Sequence, residues 1–432
     1  MGRLARYWCH LRETFWFLPG AIVAGATLLA FAAIEADARF VASGALEAWP
    51  RMFGAGPSAS RSLLTAIAGS MITVAGTVFS ITLVALSLAS SQYSSRVLRN
   101  FMRDRTNQSV LGTFLGIFAY CLVVLRSIYG TGEDAFVPSV AVLLGLLLGF
   151  GGIGVLVFFI HHIARSIQAS QILDAVRGET CAVADRLFPE NAGVCSIRDS
   201  SSTGMQWHDV LRASAPGYVQ FIDYPRLRAN AREHNVRFYV HPRIGQYVLE
   251  DDLLLSVSEL SAPKFVAADD CLAIGAQRSL EQDVGFGIRQ VVDVALKALS
   301  PGINDTTTAV MCIDTLTAIL ARLASRELRY EGCAQEDVPW VDARHPLYED
   351  LLDEAFDQIR YAARYNVAIL ERLCWALCAL RTKTGVPERL RALRVHGERL
   401  QETVQRHVEE SHEFNRLVRS TDAILQELRS SG

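Results

Sequence analysis

The residues of this chain best placed to do chemistry are hydroxyls. Thr73, Thr77, Ser80, Ser87, Ser91 and Ser94 recur at three- and four-residue steps, with Val84 interrupting the series. On a helix those steps form one stripe. Hydroxyls so arranged either bond carbonyls of their own or a neighbouring helix, or line a wet path. The stretch then runs into Arg96, Arg99, Arg103 and Arg105. Such a cluster marks the cytoplasmic side of a membrane, attracts anionic lipid, or forms a basic mouth that draws anions inward. One continuous helix would carry the hydroxyl face through a bilayer to that mouth.

Two further groups stand out. His161 and His162 close an apolar stretch. Neighbouring positions on a helix point about 100° apart, so the pair does not share one metal ion. It reads as an interfacial polar cap or as a pH-responsive pair. Farther on, Arg289, Asp293 and Lys297 stack at four-residue steps and can pair along one helix face. Ser300-Pro301-Gly302 stops that helix, and Asn304 or Asp305 caps the next. Asp305 is also placed to order a site at the N–H groups of Thr306, Thr307 and Thr308. No HExxH, P-loop, G-x-S-x-G or CxxC motif occurs, and no spacing of Ser, His and Asp singles out a triad. The chain therefore reads as a non-enzyme without catalytic residues or a cofactor. Its nine cysteines are odd in number and scattered, which fits reduced thiols facing a cytoplasm rather than a disulfide framework or a metal site.

The elements that must position these groups fall into two parts. The 432 residues are 50% hydrophobic yet 20% charged, which fits a membrane part joined to a soluble part. The net charge of −3 gives no hint of a nucleic-acid partner. Apolar stretches at 14–34, 63–88, 110–128 and 136–160 are each long enough to span a bilayer. Trp16 and Phe17 sit where interfacial anchors would. Ala36-Asp37-Ala38 mimics a signal-peptide cleavage site, but the apolar core before it is longer than a signal h-region. Basic residues dominate the N-terminus and the 96–105 segment, so the positive-inside rule gives four crossings with both termini cytoplasmic. Gly112 and Gly116 in the third stretch, and Gly145 and Gly149 in the fourth, suit close helix packing. Gly151-Gly152 is the alternative case of a flexible gating segment.

The expected organisation is a four-span transmembrane domain at 1–170, a helical connector and loop at 171–204, a small β-rich cytoplasmic module at 205–280, and a helical cytoplasmic domain at 281–432. The fold class is a mostly α membrane protein followed by a cytoplasmic α+β region. The last span continues as helix to about Leu187, and 189–204 reads as a loop. Strands are expected at 218–222, 236–240, 246–249 and 253–257, with a helix at 224–234. Their pattern is similar to the barrel-sandwich modules of biotinyl and lipoyl carriers and of membrane-fusion adaptors. No lysine occupies the hairpin, so no prosthetic group is expected. Helices follow at 284–299, 306–326 and, as one long element, 347–380. In the last helix Leu393, Leu400, Val404, Phe414, Val418, Leu425 and Leu428 form a heptad-like stripe, the seam of a helical hairpin or a subunit interface.

Three motifs carry a specific resemblance. They are S-I-T-L-V-A-L-S-L-A-S-S-Q-Y-S-S-R-V-L-R-N-F from Ser80, F-I-H-H-I-A-R-S-I-Q from Phe159, and G-F-G-I-R-Q-V-V-D-V-A-L-K-A-L-S-P-G-I-N-D-T-T-T-A from Gly285. In order and spacing they resemble a bacterial family of membrane proteins catalogued as domain of unknown function 2254. Thr306 stands where the family pattern commonly has proline, and Ser87 where it often has glutamine. The resemblance implies an integral protein of the bacterial inner membrane and carries no catalytic residues. The functional expectation is an oligomeric channel- or permeation-type protein with a polar second span and a large cytoplasmic regulatory domain. Its partners would be the lipid bilayer, further copies of itself, and an ion or small ligand. The alternative is a non-transporting scaffold or signalling protein whose cytoplasmic domain binds a partner or ligand.

Overall fold

The computed structural model describes residues 16–41, 56–92, 105–129, 136–166, 168–188, 207–258, 271–328, 340–408 and 412–430. The chain forms two compact units, Met1–Gln168 and Ala169–Gly432.

The first unit is a bundle of α1 (Phe17–Val41), α2 (Pro57–Gln92), α3 (Arg105–Ser127) and α4 (Ser139–Ser166). Small residues let the helices close: Ala68, Ala75 and Ala85 on α2, and Ala30 and Ala33 on α1, lie in the buried core. A Cβ at Gly112 would stand 2.9 Å from the backbone of Pro19, and one at Gly145 2.9 Å from Leu64, so both glycines serve close packing. Gly151 faces open space instead. The ends of the helices are tied by polar groups. Asp37 is fully buried, and its two carboxylate oxygens accept the N–H groups of Val140 and Ala141, each at 2.9 Å. This caps α4 from another helix. The Tyr120 hydroxyl donates to the Ala141 carbonyl at 2.8 Å, and Arg61 donates to the Ile128 carbonyl at 3.0 Å. The apolar stretch read as ending at residue 34 continues as helix: α1 runs past Asp37 to Val41.

α2 has 36 residues, so it is roughly 54 Å long against a hydrocarbon core of about 30 Å. It ends at Gln92, and Arg105 opens α3. The intervening Ser94, Arg96, Arg99 and Arg103, like the expected loop at 189–204, lie outside the described residues. The expected continuation of α4 to Leu187 is interrupted: α4 ends at Ser166 and a separate α5 spans Ala169–Leu187.

The second unit has two sheets and a helical core. Its strands are β1 (His208–Arg212), β2 (Gly217–Ile222), β3 (Phe238–Val240), β4 (Tyr247–Val248), β5 (Leu253–Val257), β6 (Leu272–Gly275) and β7 (Val341–Ala343), with α6 (Tyr224–His234) between β2 and β3. One sheet has the order β1-β5-β3-β7, the other β4-β2-β6. All pairs are antiparallel except β3 and β7, which run parallel in the register Phe238↔Val341, Tyr239↔Asp342, Val240↔Ala343. β7 comes from within the stretch read as helical.

The helical core holds α7 (Val284–Ala298), α8 (Thr306–Ala324), α9 (Tyr348–Ala362), α10 (Val367–Arg381), α11 (Pro387–His407) and α12 (His412–Ser430). Ile313, Leu316, Ile319 and Leu320 of α8 are fully buried. By length and apolarity α8 is a fifth helix able to cross a membrane, so five such helices occur among the described residues. The expected single helix at 347–380 is two, α9 and α10. The apolar period runs on across a turn that ends where the Asn366 side chain accepts the Ile369 N–H at 3.3 Å and caps α10. The heptad-like stripe is likewise divided between α11 and α12, which pack on each other as a hairpin.

α5 packs on α7 and α8, and Asp185 pairs with Arg322 and Arg326. A Cβ on Gly287 of α7 would overlap the Thr180 side chain of α5. Gly287→Ala is therefore expected to lower unfolding stability by about 1–3 kcal/mol through overpacking. Thr180→Ala in the same chain should restore part of that loss in chemical denaturation; strictly additive effects would exclude this contact as the cause.

Candidate functional site

The hydroxyl stripe lies on a face of α2 that its own bundle leaves uncovered. Thr73, Thr77, Ser80 and Ser87 are exposed on the chain, whereas Leu64, Ala68, Met71, Ala75, Val78 and Ala85 are turned inward. Thr73 donates to the Gly69 carbonyl at 2.8 Å and Thr77 to the Thr73 carbonyl at 3.1 Å, the local bonding common for hydroxyls in apolar helices. Gly69 and Gly76 have open space around them. The apolar Ile72, Phe79 and Leu83 are also exposed, so hydroxyl and aliphatic strips share the uncovered surface. Ser91 lies in the last turn of α2. Near the end of α4, His161 is exposed, and the His162 ring stacks on Phe158 with centroids 5.9 Å apart.

In the second unit the motif residues divide into two places. Asp283 starts α7: its carboxylate accepts the Phe286 N–H at 2.9 Å and both Arg278 donors at 2.8 and 3.0 Å. Arg278 also lies over the Phe286 ring, 5.4 Å from its centroid. Burial pushes the Asp283 carboxyl above the ordinary range, with Arg278 opposing it. One to two turns along α7, Arg289 pairs with Asp293 at 2.8 Å and with Glu354 of α9 at 3.3 Å, a half-buried ion-pair group.

Ser300, Asn304 and Asp305 belong to the turn between α7 and α8. The Ser300 carbonyl accepts the N–H groups of Ile303 and Asn304, and the Asp305 N–H donates to the Ala298 carbonyl at 2.8 Å. Asn304 takes a left-handed conformation, φ +49°, which asparagine tolerates better than most residues. Asp305 caps α8, accepting the Thr308 N–H at 3.0 Å and the Thr308 hydroxyl at 2.5 Å. Those bonds, the hydroxyl's first, hold the Asp305 carboxyl below its usual range. Asn366 donates to the Thr306 hydroxyl at 3.2 Å, tying the start of α10 to the start of α8. Between these turns opens a cleft of about 480 Å³ lined by Leu299, Asn304, Ala363, Tyr365, Asn366 and Ala368. Arg289 and Asp293 do not line it.

Two clusters that sequence spacing does not announce come together across elements. Ser256 Oγ lies 2.8 Å from His241 Nε2 and 3.5 Å from Asp209 Oδ1. Burial holds His241 below its ordinary pKa. Yet the Ser256 hydroxyl is only 1% exposed, and the carboxylate meets the hydroxyl rather than orienting the ring. This is a hydrogen-bonded row on a sheet, not a nucleophile with its base. The second cluster places Asp353 and Asp357 of α9 beside the buried His396 of α11, with ligand atoms within 4.8 Å of one another. The donor set suits a divalent ion, but a guanidinium already stands there. Arg399 lies 2.7 Å from Asp353 and 3.0 Å from Asp357, and Arg360 3.3 Å from Asp357. An i,i+4 carboxylate pair is a frequent surface pattern, and a histidine some forty residues away gives it no local signal.

The long apolar helices and the small sheet-containing region fit a membrane protein. Residues 12–379 match the family described as predicted membrane proteins, domain of unknown function 2254, and the chain belongs to it. It is 35% identical over 352 residues to uncharacterised proteins of Mycobacterium bovis and of two Mycobacterium tuberculosis strains. The match covers 78% of this chain and 67% of each relative. No solved structure matches the chain.

The cap at Asp305 gives a sharp expectation. Asp305→Ala should lower stability by about 1 kcal/mol, while Asp305→Ser, which keeps an acceptor, should lose only a few tenths. A carboxyl with a depressed folded-state pKa stabilises fully above the unfolded value and loses that contribution as pH falls through the folded one. The difference between wild type and Asp305→Ala in chemical denaturation should therefore be present at pH 7 and shrink below about pH 4.

Proposed function

We propose that this is a channel- or permeation-type protein of the bacterial inner membrane that performs no chemical catalysis. In this reading α1 to α4 cross the bilayer, both termini are cytoplasmic, and several copies assemble so that their α2 helices line a path. The observation that carries it is the uncovered hydroxyl face of Thr73, Thr77, Ser80 and Ser87 on α2. A helix that bonds its neighbours through one face and leaves hydroxyls and open glycines on another is suited to meeting further copies at close range. The basic run Arg96, Arg99 and Arg103 after the stripe supports a cytoplasmic mouth, and Ser91 and Ser94 would continue the lining towards it. The second unit would regulate the path. The cleft beside Asn304 favours a second reading, a signalling protein that binds a ligand without transport.

Topology is tested by a reporter fused after Gly432. Cytoplasmic activity is expected, and a periplasmic signal would rule out four crossings from a cytoplasmic N-terminus.

The path is tested by single cysteines at Thr73, Thr77, Ser80, Ser87 and Ser91, in a background stripped of accessible native cysteines. These should react with a membrane-impermeant thiol reagent, while Ile72, Phe79 and Leu83 stay protected, giving a helical period of about 3.6 residues. Ser87→Leu should reduce flux into liposomes. Protection of every stripe position in an intact assembly would leave the ligand-binding reading ahead.

A further inference from the structure

One polar side chain of the first unit is buried with nothing to bond. Asn107 is 4% exposed, and among the described residues neither its Nδ2 nor its Oδ1 has a hydrogen-bond partner. A buried carboxamide in that state costs more than an apolar side chain of the same size. Asn107 stands in the first turn of α3, a helix of 23 residues that begins at Arg105. Helical side chains lean back toward the N-terminus of their own helix, so this carboxamide is directed over the helix start. The N–H groups of Arg105 and Asn107 have no carbonyl inside the helix to bond, and the positive end of the helix dipole lies there. Arg105, in the same turn, is exposed. Beyond this turn α3 becomes apolar, and Val110, Leu111, Phe114 and Ile117 are buried in the bundle core. A helix start, an unpaired amide and a guanidinium thus share one turn at the end of an apolar helix.

We infer that the start of α3 binds a phosphate group, carried by an anionic lipid or free in solution. The two N–H groups and the Arg105 guanidinium supply donors and positive charge to its oxygens. The Asn107 Nδ2 donates one further bond, which pairs the amide that the fold leaves unpaired. This rests on the reading of α3 as a membrane span, which sets its first turn at headgroup depth, where anionic lipid is the nearer source.

The test is thermal melting of the full chain in detergent, titrated with three compounds. They are dioleoyl phosphatidylglycerol, dioleoylglycerol, which has the same chains and no phosphate, and inorganic phosphate. Asn107→Leu keeps the volume and removes the amide; Arg105→Gln removes an exposed charge. Phosphatidylglycerol should raise the melting temperature saturably, and the affinity drawn from that shift should fall about tenfold in each variant. Without ligand, Asn107→Leu should melt no lower than wild type, because it takes away an unpaired amide rather than a bond. A response to phosphatidylglycerol alone assigns the site to lipid, and an equal response to inorganic phosphate assigns it to a soluble anion; either upholds the phosphate site. The inference is overturned by no shift with either phosphate compound, or by a dioleoylglycerol shift as large as that of phosphatidylglycerol. Equal affinity in wild type and both variants, or early melting of Asn107→Leu without ligand, overturns it as well. Detergent removes the bilayer, so the outcome is independent of which membrane face α3 starts from. Failure here leaves the four crossings and the α2 path standing, and failure of either leaves this binding untouched.

Discussion

The second unit depends on one buried carboxylate. Asp283 sits at 7% exposure, where an unpaired charge would cost several kcal/mol. Arg278 forks onto both oxygens and the Phe286 N–H points into it, against the opposing charge of Glu354. Gly245, at φ +79°, leaves room for it where any side chain would overlap. The β4 turn, the segment after β6 and the first turn of α7 thus meet at a single group. From there the buried face of α7 orders α5, α8 and α9 around it.

The same device recurs. Asp223, Asp305 and Asn366 each accept an N–H from the first turn of their helices. The opposite ends are treated with cations: Arg389 donates to the carbonyls of Leu323, Ala324 and Arg326 where α8 finishes, which the helix dipole favours. In the first unit Asp37 performs the capping task from a different helix. That arrangement fixes where α1 and α4 meet.

Much of this was legible from local pattern. The apolar stretches, the strands β2 and β5, the helix α6 and the cap at Asp305 follow from periodicity and from residues that bond their own neighbourhood. What was not legible is non-local. β1 and β6 bear no strong alternation, and β7 is three residues whose pairing partner is about a hundred positions earlier. The break at Asn366 hides inside a continuous apolar period, and hydropathy alone does not separate α8 from a membrane span. Asp37 looks like a loop residue until α4 is placed beside it. Ser256 and His241, like Asp353 and His396, are brought together only by the assembled elements. The hydroxyl stripe was readable as a stripe, whereas its direction depends on which face of α2 the other helices take.

The parallel pairing of β3 with β7 has a consequence for how the protein is made. A ribosome delivers β3 long before Val341 leaves the tunnel, at roughly 5–20 residues per second. During that interval β3 is the raw edge of an unfinished sheet, with backbone donors and acceptors open to any passing strand. The long apolar helices of the first unit precede it in the chain. Holdase chaperones that shield strand edges would therefore matter most in the window between synthesis of residues 240 and 343. A chain cut between β5 and β7 would keep α1 to α6 yet leave β3 a permanently adhesive margin.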